Sequence, residues 1–232
     1  MWRYLKMQEF LTNVLPNVMS KPNDLYISFS QTIYMMFISG LISFVFGVIF
    51  GVILIVTSPS GILKNRFIYT LLGGLVNIFR SIPFVILLAA LIPFTRIIMG
   101  SAIGTKGALV PLVFGTVPFF TRQIESALAE VDKGLIEAAE SMGSSPLEII
   151  FRVYLRESLP GIIRGTQITF ISLIGLTAMA GAIGGGGLGD YAIRYGHQRG
   201  QTDVTYVTVF IILIMVSFIQ SMGTFFIKKT TH

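Results

Sequence analysis

Glu137-Ala138-Ala139 followed by Gly143, with Ser145-Pro146-Leu147-Glu148 directly behind, is the densest concentration of chemically versatile residues in this chain. Two alanines make a surface that another protein can approach closely, and the neighbouring glutamate can form an ion pair or accept hydrogen bonds across such a contact. The spacing also says how they are held. Asp132 stands where an N-cap belongs, Leu135, Ile136, Ala138, Ala139 and Met142 fall at helical spacing, and Gly143 is placed as a left-handed terminator. Ser145 and Glu148 have the order of a capping box, with Pro146 in the first turn. Beyond them Leu147, Ile150, Phe151 and Tyr154 predict one apolar stripe, and Glu148, Arg152 and Arg156 succeed each other at i, i+4. The expected shape is a knuckle: a helix, a glycine hinge and a second amphipathic helix running into Pro160. From the residues alone two roles stand side by side, docking into a groove of another protein and resting on lipid headgroups.

A second set of polar residues interrupts apolar runs: Asn77, Arg80 and Ser81 with Pro83, then Thr169, Ser172 and Thr177. These are the candidates for lining a translocation path. An arginine at the centre of a spanning helix costs roughly 2.5 to 3.5 kcal/mol on insertion scales, so it faces a cavity or a polar group. Either Arg80 lines a solvated path, or the segment before it lies along the interface and the span starts near Ile82. Pro83 removes a backbone donor and can open the turn before it. Each hydroxyl can instead bond the preceding turn of its own helix.

Several other signals exclude chemistry. Gly184-x-Gly186-x-x-Gly189 matches the dinucleotide fingerprint by letter, but no strand precedes it; a flexible turn near the outer mouth is expected, serving as a gate, a landing surface or a close helix contact. No G-x-x-x-x-G-K-[ST] is present, so the chain is not expected to be an enzyme that hydrolyses nucleotide by the usual loop. His197 and His232 are isolated and there is no cysteine, so no metal site is expected. Outside the knuckle, Glu9, Asp24, Asp190 and Asp203 lie near loop edges, which argues against a carboxylate relay through the membrane.

The elements that must position these residues are membrane helices. Hydrophobic residues make up 53% of the chain and charged ones 12%, against about 25% charged in soluble proteins. Runs of about 20 apolar residues match a hydrocarbon core of roughly 30 Å. The runs are Leu25 to Thr57 (with Gly47-x-x-x-Gly51 as a close-packing face), Phe67 to Thr95, Ala108 to Thr121 with a charged helical extension through RQIESALAEV, Gly165 to Leu188, and Val204 to Ile227. Pro93, Arg96 and a Gly/Ser-rich loop to Gly107 separate the second from the third. The expected architecture is all-α and polytopic with five spans: residues 1–24 as a leader or interfacial segment, 25–232 as the transmembrane domain, and the knuckle at about 132–160 as a cytoplasmic loop. The net charge of +6 comes from basic residues scattered through loops, which suits lipid headgroups and not nucleic acid. An N-terminus outside and a C-terminus inside leaves Lys64, Arg66, Arg122, Lys133, Arg152, Arg156, Arg164, Lys228 and Lys229 on the cytoplasmic side. Arg3, Lys6, Lys21, Arg96, Lys106, Arg194 and Arg199 then lie outside, a slight bias in the favourable direction.

Glu137-Ala138-Ala139, Gly143, Val153, Leu155 and Leu159-Pro160 resemble the EAA loop of permease subunits of ATP-driven importers, departing at Arg156, where that pattern commonly has proline. NIFRSIPFVILL (Asn77 to Leu88), IPFTR (Ile92 to Arg96), Gly100 to Pro111 and GGGGLGDYAIRYG (Gly184 to Gly196) are similar to the methionine-import permeases among type I importers, and the resemblance covers about Gln31 to Gln220. It implies a five-helix permease of the bacterial cytoplasmic membrane, paired with a second copy of itself, two cytoplasmic ATPase subunits and an extracytoplasmic substrate-binding lipoprotein. The loop residues Glu137, Ala138, Ala139 and Gly143 would enter a cleft of the ATPase; no cofactor is expected on this chain, ATP and magnesium being used by the partner. The alternatives are a permease for another amino acid or a small osmolyte, and an autonomous channel or ion-coupled carrier.

Overall fold

Backbone groups in hydrocarbon must be hydrogen-bonded within their own segment, which leaves helices as the way for these apolar runs to cross. The computed structural model describes residues 13–230, and among them there is no strand. In order come α1 (Pro16–Ser20), α2 (Pro22–Thr57), α3 (Arg66–Ser81), α4 (Phe84–Ala90), α5 (Ile92–Met99), α6 (Gly104–Ala129), α7 (Lys133–Ser141), α8 (Pro146–Ile149), α9 (Leu155–Glu157), α10 (Leu159–Ala180), α11 (Gly187–Tyr191) and α12 (Thr202–Thr230). π-helical turns at Ile150–Tyr154, Gly181–Gly185 and Ala192–His197 join neighbouring pieces.

Three helices, α2, α10 with the turn to Gly185, and α12, are long and apolar enough to cross a membrane alone. Two further pairs meet the test together but are bent, α3 with α4 by 103° and α5 with α6 by 119°; counting each pair as one span gives five. The bends refine the expected boundaries. The second run is not one rod: α3 ends at Ser81, Ile82 turns extended, and a new helix begins after Pro83. The Gly/Ser-rich connection shrinks to residues 100–103, because Pro93 takes the first turn of α5, where its missing N–H costs nothing, and Gly100 closes that helix at φ 75°. The fourth span starts earlier than expected, at Leu159, and its helical geometry fails at Ile183 and Gly184. The extension of α6 through Ala129 is one continuous helix with the apolar run, as the sequence predicts.

By contacts the chain divides into two units. The first takes the described residues up to Ile38, Val85–Leu112 and Leu173–Phe218. Here Asp203 at the start of α12 anchors α1: its carboxylate accepts from Asn17 N and Asn17 Nδ2, both at 2.9 Å, beside a small core of Val18, Tyr191 and Val204. The part of the N-terminal leader before residue 13 lies outside the described residues, as does His232.

The glycine-rich turn belongs to the same unit and is packed, not loose. A Cβ on Gly189 would lie 2.2 Å from the Ala178 carbonyl oxygen, and one on Gly181 would lie 2.5 Å from Asp190 N. The first amides of α11 are capped from α2: Gly187 N donates to Gln31 Oε1 and Leu188 N to Thr32 Oγ1, both at 2.8 Å. Gly189→Ala is therefore expected to destabilise by about 1 to 3 kcal/mol, the usual cost of overpacking against atoms that cannot move away. Thermal unfolding in detergent measures it, with Gly175→Ala, where a Cβ meets nothing within 4 Å, as the control.

The second unit takes Ser39–Phe84, Val113–Ser172 and the described residues from Ile219 onward. Its core is Phe120, Ile124, Ala127 and Leu128 of α6, with Val131, Ala139, Ile149, Tyr154 and Ile162. Gly47 and Gly51 bring α2 against that face of α6. A Cβ on either would come within 2.4 to 2.5 Å of Phe120 or Ile124, which is the close approach their spacing predicts.

Candidate functional site: the knuckle and its mount

The knuckle forms by local chemistry. Asp132 accepts from Gly134 N at 2.7 Å at the head of α7, and Ser141 Oγ donates to the Glu137 carbonyl at 2.8 Å. At the other end Gly143 adopts φ 78°, with its N–H on the Glu140 carbonyl (3.0 Å) and Ser144 N on the Ala139 carbonyl (3.1 Å). These paired bonds are a Schellman termination, which satisfies carbonyls that the helix end would leave bare. The capping box then starts α8: Ser145 Oγ accepts from Glu148 N at 3.4 Å, and Glu148 Oε2 accepts from Ser145 N and Ser145 Oγ at 2.9 Å. Those bonds, the backbone one foremost, hold the Glu148 carboxyl below the ordinary carboxylate range. Because its pKa is depressed, the cap's contribution is complete at neutral pH and fades only as pH falls through the lowered value.

The second helix departs from the predicted stripe. Ile149, Ile150 and Tyr154 are buried, whereas Leu147 is 67% and Phe151 65% exposed. A π-helical turn follows over Ile150–Tyr154, in which Leu155 N bonds to the Ile150 carbonyl; its added residue rotates everything beyond it off the 3.6-residue phase. The Glu148 to Arg152 pair is present at 3.8 Å on the surface.

The knuckle thus has two faces. Inward, Ala139, Ile149 and Tyr154 share one core with Phe120, Ile124, Ala127 and Leu128 of α6, and Ile136 and Val153, like Val48, Val52 and Ile55 of α2, pack against that core. Outward stand Glu137, Ala138, Met142, Leu147 and Phe151. The two alanines were expected to form a shared surface, but they divide between the faces, Ala138 exposed and Ala139 only 6% exposed. Beside Glu137 lies a cleft of about 440 Å³, walled by Ser60, Gly61, Ile62 and Lys64 after α2 and by Lys133, Ile136, Glu137 and Glu140.

The path candidates are not gathered into one lined channel. Thr169 and Thr177 are buried and their hydroxyls bond back to the Gly165 and Ile174 carbonyls, both at 2.7 Å; Ser172 is half-buried on α10. Ser81 Oγ bonds to the Asn77 carbonyl, and Arg80, Ser81 and Pro83 are exposed at the end of α3 and the break after it. Asn77 is held by a residue the sequence reading did not single out. Arg122 of α6 donates to Asn77 Oδ1 (2.9 Å) and to the Gly73 carbonyl (3.1 Å), while pairing with Glu125. A cation three residues before an anion at the end of an apolar run was the available signal. Among the described residues no group of acidic or histidine side chains is arranged to hold a metal.

A sequence-family model described as the binding-protein-dependent transport system inner membrane component matches residues 44–230. The chain belongs to this family. Its relatives include the probable D-methionine transport system permease protein MetI of Vibrio cholerae, 48% identical over 87% of this chain and 90% of the relative. The methionine import system permease protein MetP of Bacillus subtilis is 48% identical over 74% of this chain and 77% of its own. A solved structure of the MetNI methionine ABC transporter, inward facing, superposes at a TM-score of 0.85 with 44% identity, covering 87% of this chain and 94% of that one. The all-α type I importer permease fold follows from this likeness, and membership places the chain among multi-pass membrane transport components.

Proposed function

We propose that this chain is the membrane-spanning subunit of an ATP-driven methionine importer. The observation that carries the reading is near-complete coverage at 48% identity to a D-methionine permease together with 44% identity to the MetNI chain. The subunit works as a homodimer in the bacterial cytoplasmic membrane, with two ATPase subunits beneath it and a substrate-binding lipoprotein outside. ATP and magnesium belong to the ATPases. The outward face of the knuckle, with Glu137 and Ala138 presented and Gly143 setting the angle, docks into the ATPase. Ala139 acts from the other side, joining the knuckle to α6 and α2, so that closure of the ATPase pair is carried into the spanning helices as a differential stabilisation of one conformation. Asn77, Arg80, Ser81, Pro83, Thr169, Ser172 and Thr177 border the moving helices.

Charge supports an extracytoplasmic N-terminus and a cytoplasmic C-terminus. Nine basic residues fall in the loops assigned to the inside and seven in those assigned to the outside, a slight bias in the favourable direction.

The test is uptake. Cells lacking the chain should lose ATP-dependent accumulation of labelled methionine and recover it on complementation, and proteoliposomes should transport only when ATPase subunits and ATP are present. Unchanged uptake in its absence would remove the methionine assignment, and transport by the purified chain alone would point to a channel or carrier.

A further inference from the structure

Within the first unit a cavity of about 230 Å³ is walled by charges of both signs. We propose that it binds the zwitterionic head of a free α-amino acid, the ammonium on Asp24 and the carboxylate on Arg194. The proposal rests on the importer reading and adds a substrate site within a single copy of the chain.

Asp24, Ile27, Ser28 and Gln31 recur at i, i+3, i+4 and i+7, so one face of α2 lines one side of the cavity. Gly104 and Thr105 of α6, Gly184 and Gly186 of the glycine turn, and Asp190, Arg194 and Tyr195 complete it. The glycines let the wall come this close: a Cβ on Gly186, at φ 76°, would lie 2.7 Å from Gln31 Oε1.

The charges are not all paired. Asp190 Oδ2 is paired with Arg194 Nη2 at 2.8 Å, whereas the Asp24 carboxylate has no hydrogen-bond or ion-pair partner among the described residues. The lining therefore offers one carboxylate without a partner to the positive centre of a ligand, beside a guanidinium for its negative one. Arg194 spends one nitrogen on Asp190 and keeps the rest of its donor fork, and its side chain is 54% exposed. Its guanidinium lies 4.9 Å from the Tyr195 ring centroid, with Arg199 at 4.5 Å from the same ring. A carboxylate is the ligand group such a fork matches. An anion acceptor and a cation acceptor in a space below the roughly 300 to 1,000 Å³ of drug-sized sites describe an amino-acid head group. Apart from Ile27 and the Tyr195 ring the lining is polar or glycine, so the cavity reads the head and leaves side-chain selection to the extracytoplasmic partner.

The experiment is equilibrium binding of radiolabelled methionine to the purified permease–ATPase complex without the substrate-binding protein. Competitors are a panel of α-amino acids, the amine that lacks the carboxylate and the acid that lacks the ammonium. Amino acids of differing side chain should compete, the single-function analogues at least about tenfold less well, and Asp24→Asn should weaken binding by at least about tenfold, the scale of one charge-assisted hydrogen bond. Arg194→Lys should weaken it less than Arg194→Gln. The competitor profile needs no variant and stands even if Arg194→Gln, which unpairs Asp190, fails to fold. An amine that competes as well as the amino acid, or binding unchanged in Asp24→Asn, overturns the proposal. A wild-type complex that fails to transport methionine yet binds another α-amino acid with this profile overturns only the methionine assignment.

Discussion

Replacing Gly143 with valine is expected to leave the chain in the membrane and cut ATP-driven uptake by at least about tenfold, the effect of a misdirected docking element. The argument is conformational. At φ 78° a residue with a Cβ is strained, by roughly 1 to 2 kcal/mol for ordinary L-residues and more for β-branched ones. Space is not the obstacle, since a Cβ there meets nothing within 4 Å. The strain is relieved by unwinding the last turn of α7, which gives up the bonds from Gly143 N and Ser144 N and changes the angle at which α7 meets α8. Ala139 and Ile149 belong to the core of the second unit and Gly143 does not, so the fold survives while the presented face moves. Gly143→Asn, which tolerates the left-handed region, should retain most activity, and Gly143→Asp should fall between asparagine and valine. Glu137→Lys tests the same face by charge. Its carboxylate has no partner among the described residues, so reversal costs little within the chain, within about 0.5 kcal/mol. Against a complementary ATPase groove it places like charges together, at a cost of several kcal/mol. Both valine and lysine variants should insert normally and lose ATPase on co-purification. Normal assembly with normal coupled transport in both would rule out the knuckle as the coupling element.

What was legible in the sequence was what local chemistry controls. Asp132, Gly143 and the Ser145 to Glu148 box act within a few residues of themselves, so their types and spacing were enough to place both helix ends. Phase was readable only while the helix kept 3.6 residues per turn. A π-helical turn is an outcome of packing, and nothing in IFRVY announces it; which side of the helix before it is buried, Ile149 inward and Leu147 and Phe151 outward, is set by core partners distant in sequence. The glycine turn was legible as a special stretch, but its closeness to Gln31 and Thr32 depends on residues about 156 positions away. The division of Ala138 from Ala139 has the same origin, since which alanine faces in is decided by where α6 and α2 lie.

The Arg122 strap reaches partners 45 and 49 positions away, which its local pairing with Glu125 does not announce, and removing it carries the second large effect expected. Arg122→Ala takes the cation from Glu125, whose side chain is only 16% exposed, and at the same time frees the Gly73 carbonyl and the Asn77 amide. Breaking a fully buried pair from one side costs about 3 to 5 kcal/mol. With Arg122 at 22% exposure and some water reaching the pair, about 2 kcal/mol is expected. Glu125→Gln keeps an acceptor for the guanidinium and leaves both bonds to α3 in place, so about 1 kcal/mol is expected. If the two side chains act as one unit, Arg122→Met with Glu125→Met costs less than the sum of the single changes, with a coupling of about 1 to 2 kcal/mol. Thermal or denaturant unfolding in detergent gives these numbers, and strict additivity would show that the pair carries no coupling. The functional consequence follows from what the strap joins. α6 carries the buried face of the knuckle at its far end, whereas α3 has only Gly73 and Val76 buried and ends at the break before Pro83. Besides the Phe79–Phe114 ring contact, Asn77 and the Gly73 carbonyl are where so lightly packed a helix is tied to α6, so losing both bonds loosens it. Arg122→Ala should therefore lower uptake more than it lowers ATP hydrolysis, because the knuckle still docks while its movement no longer reaches Asn77 and Arg80.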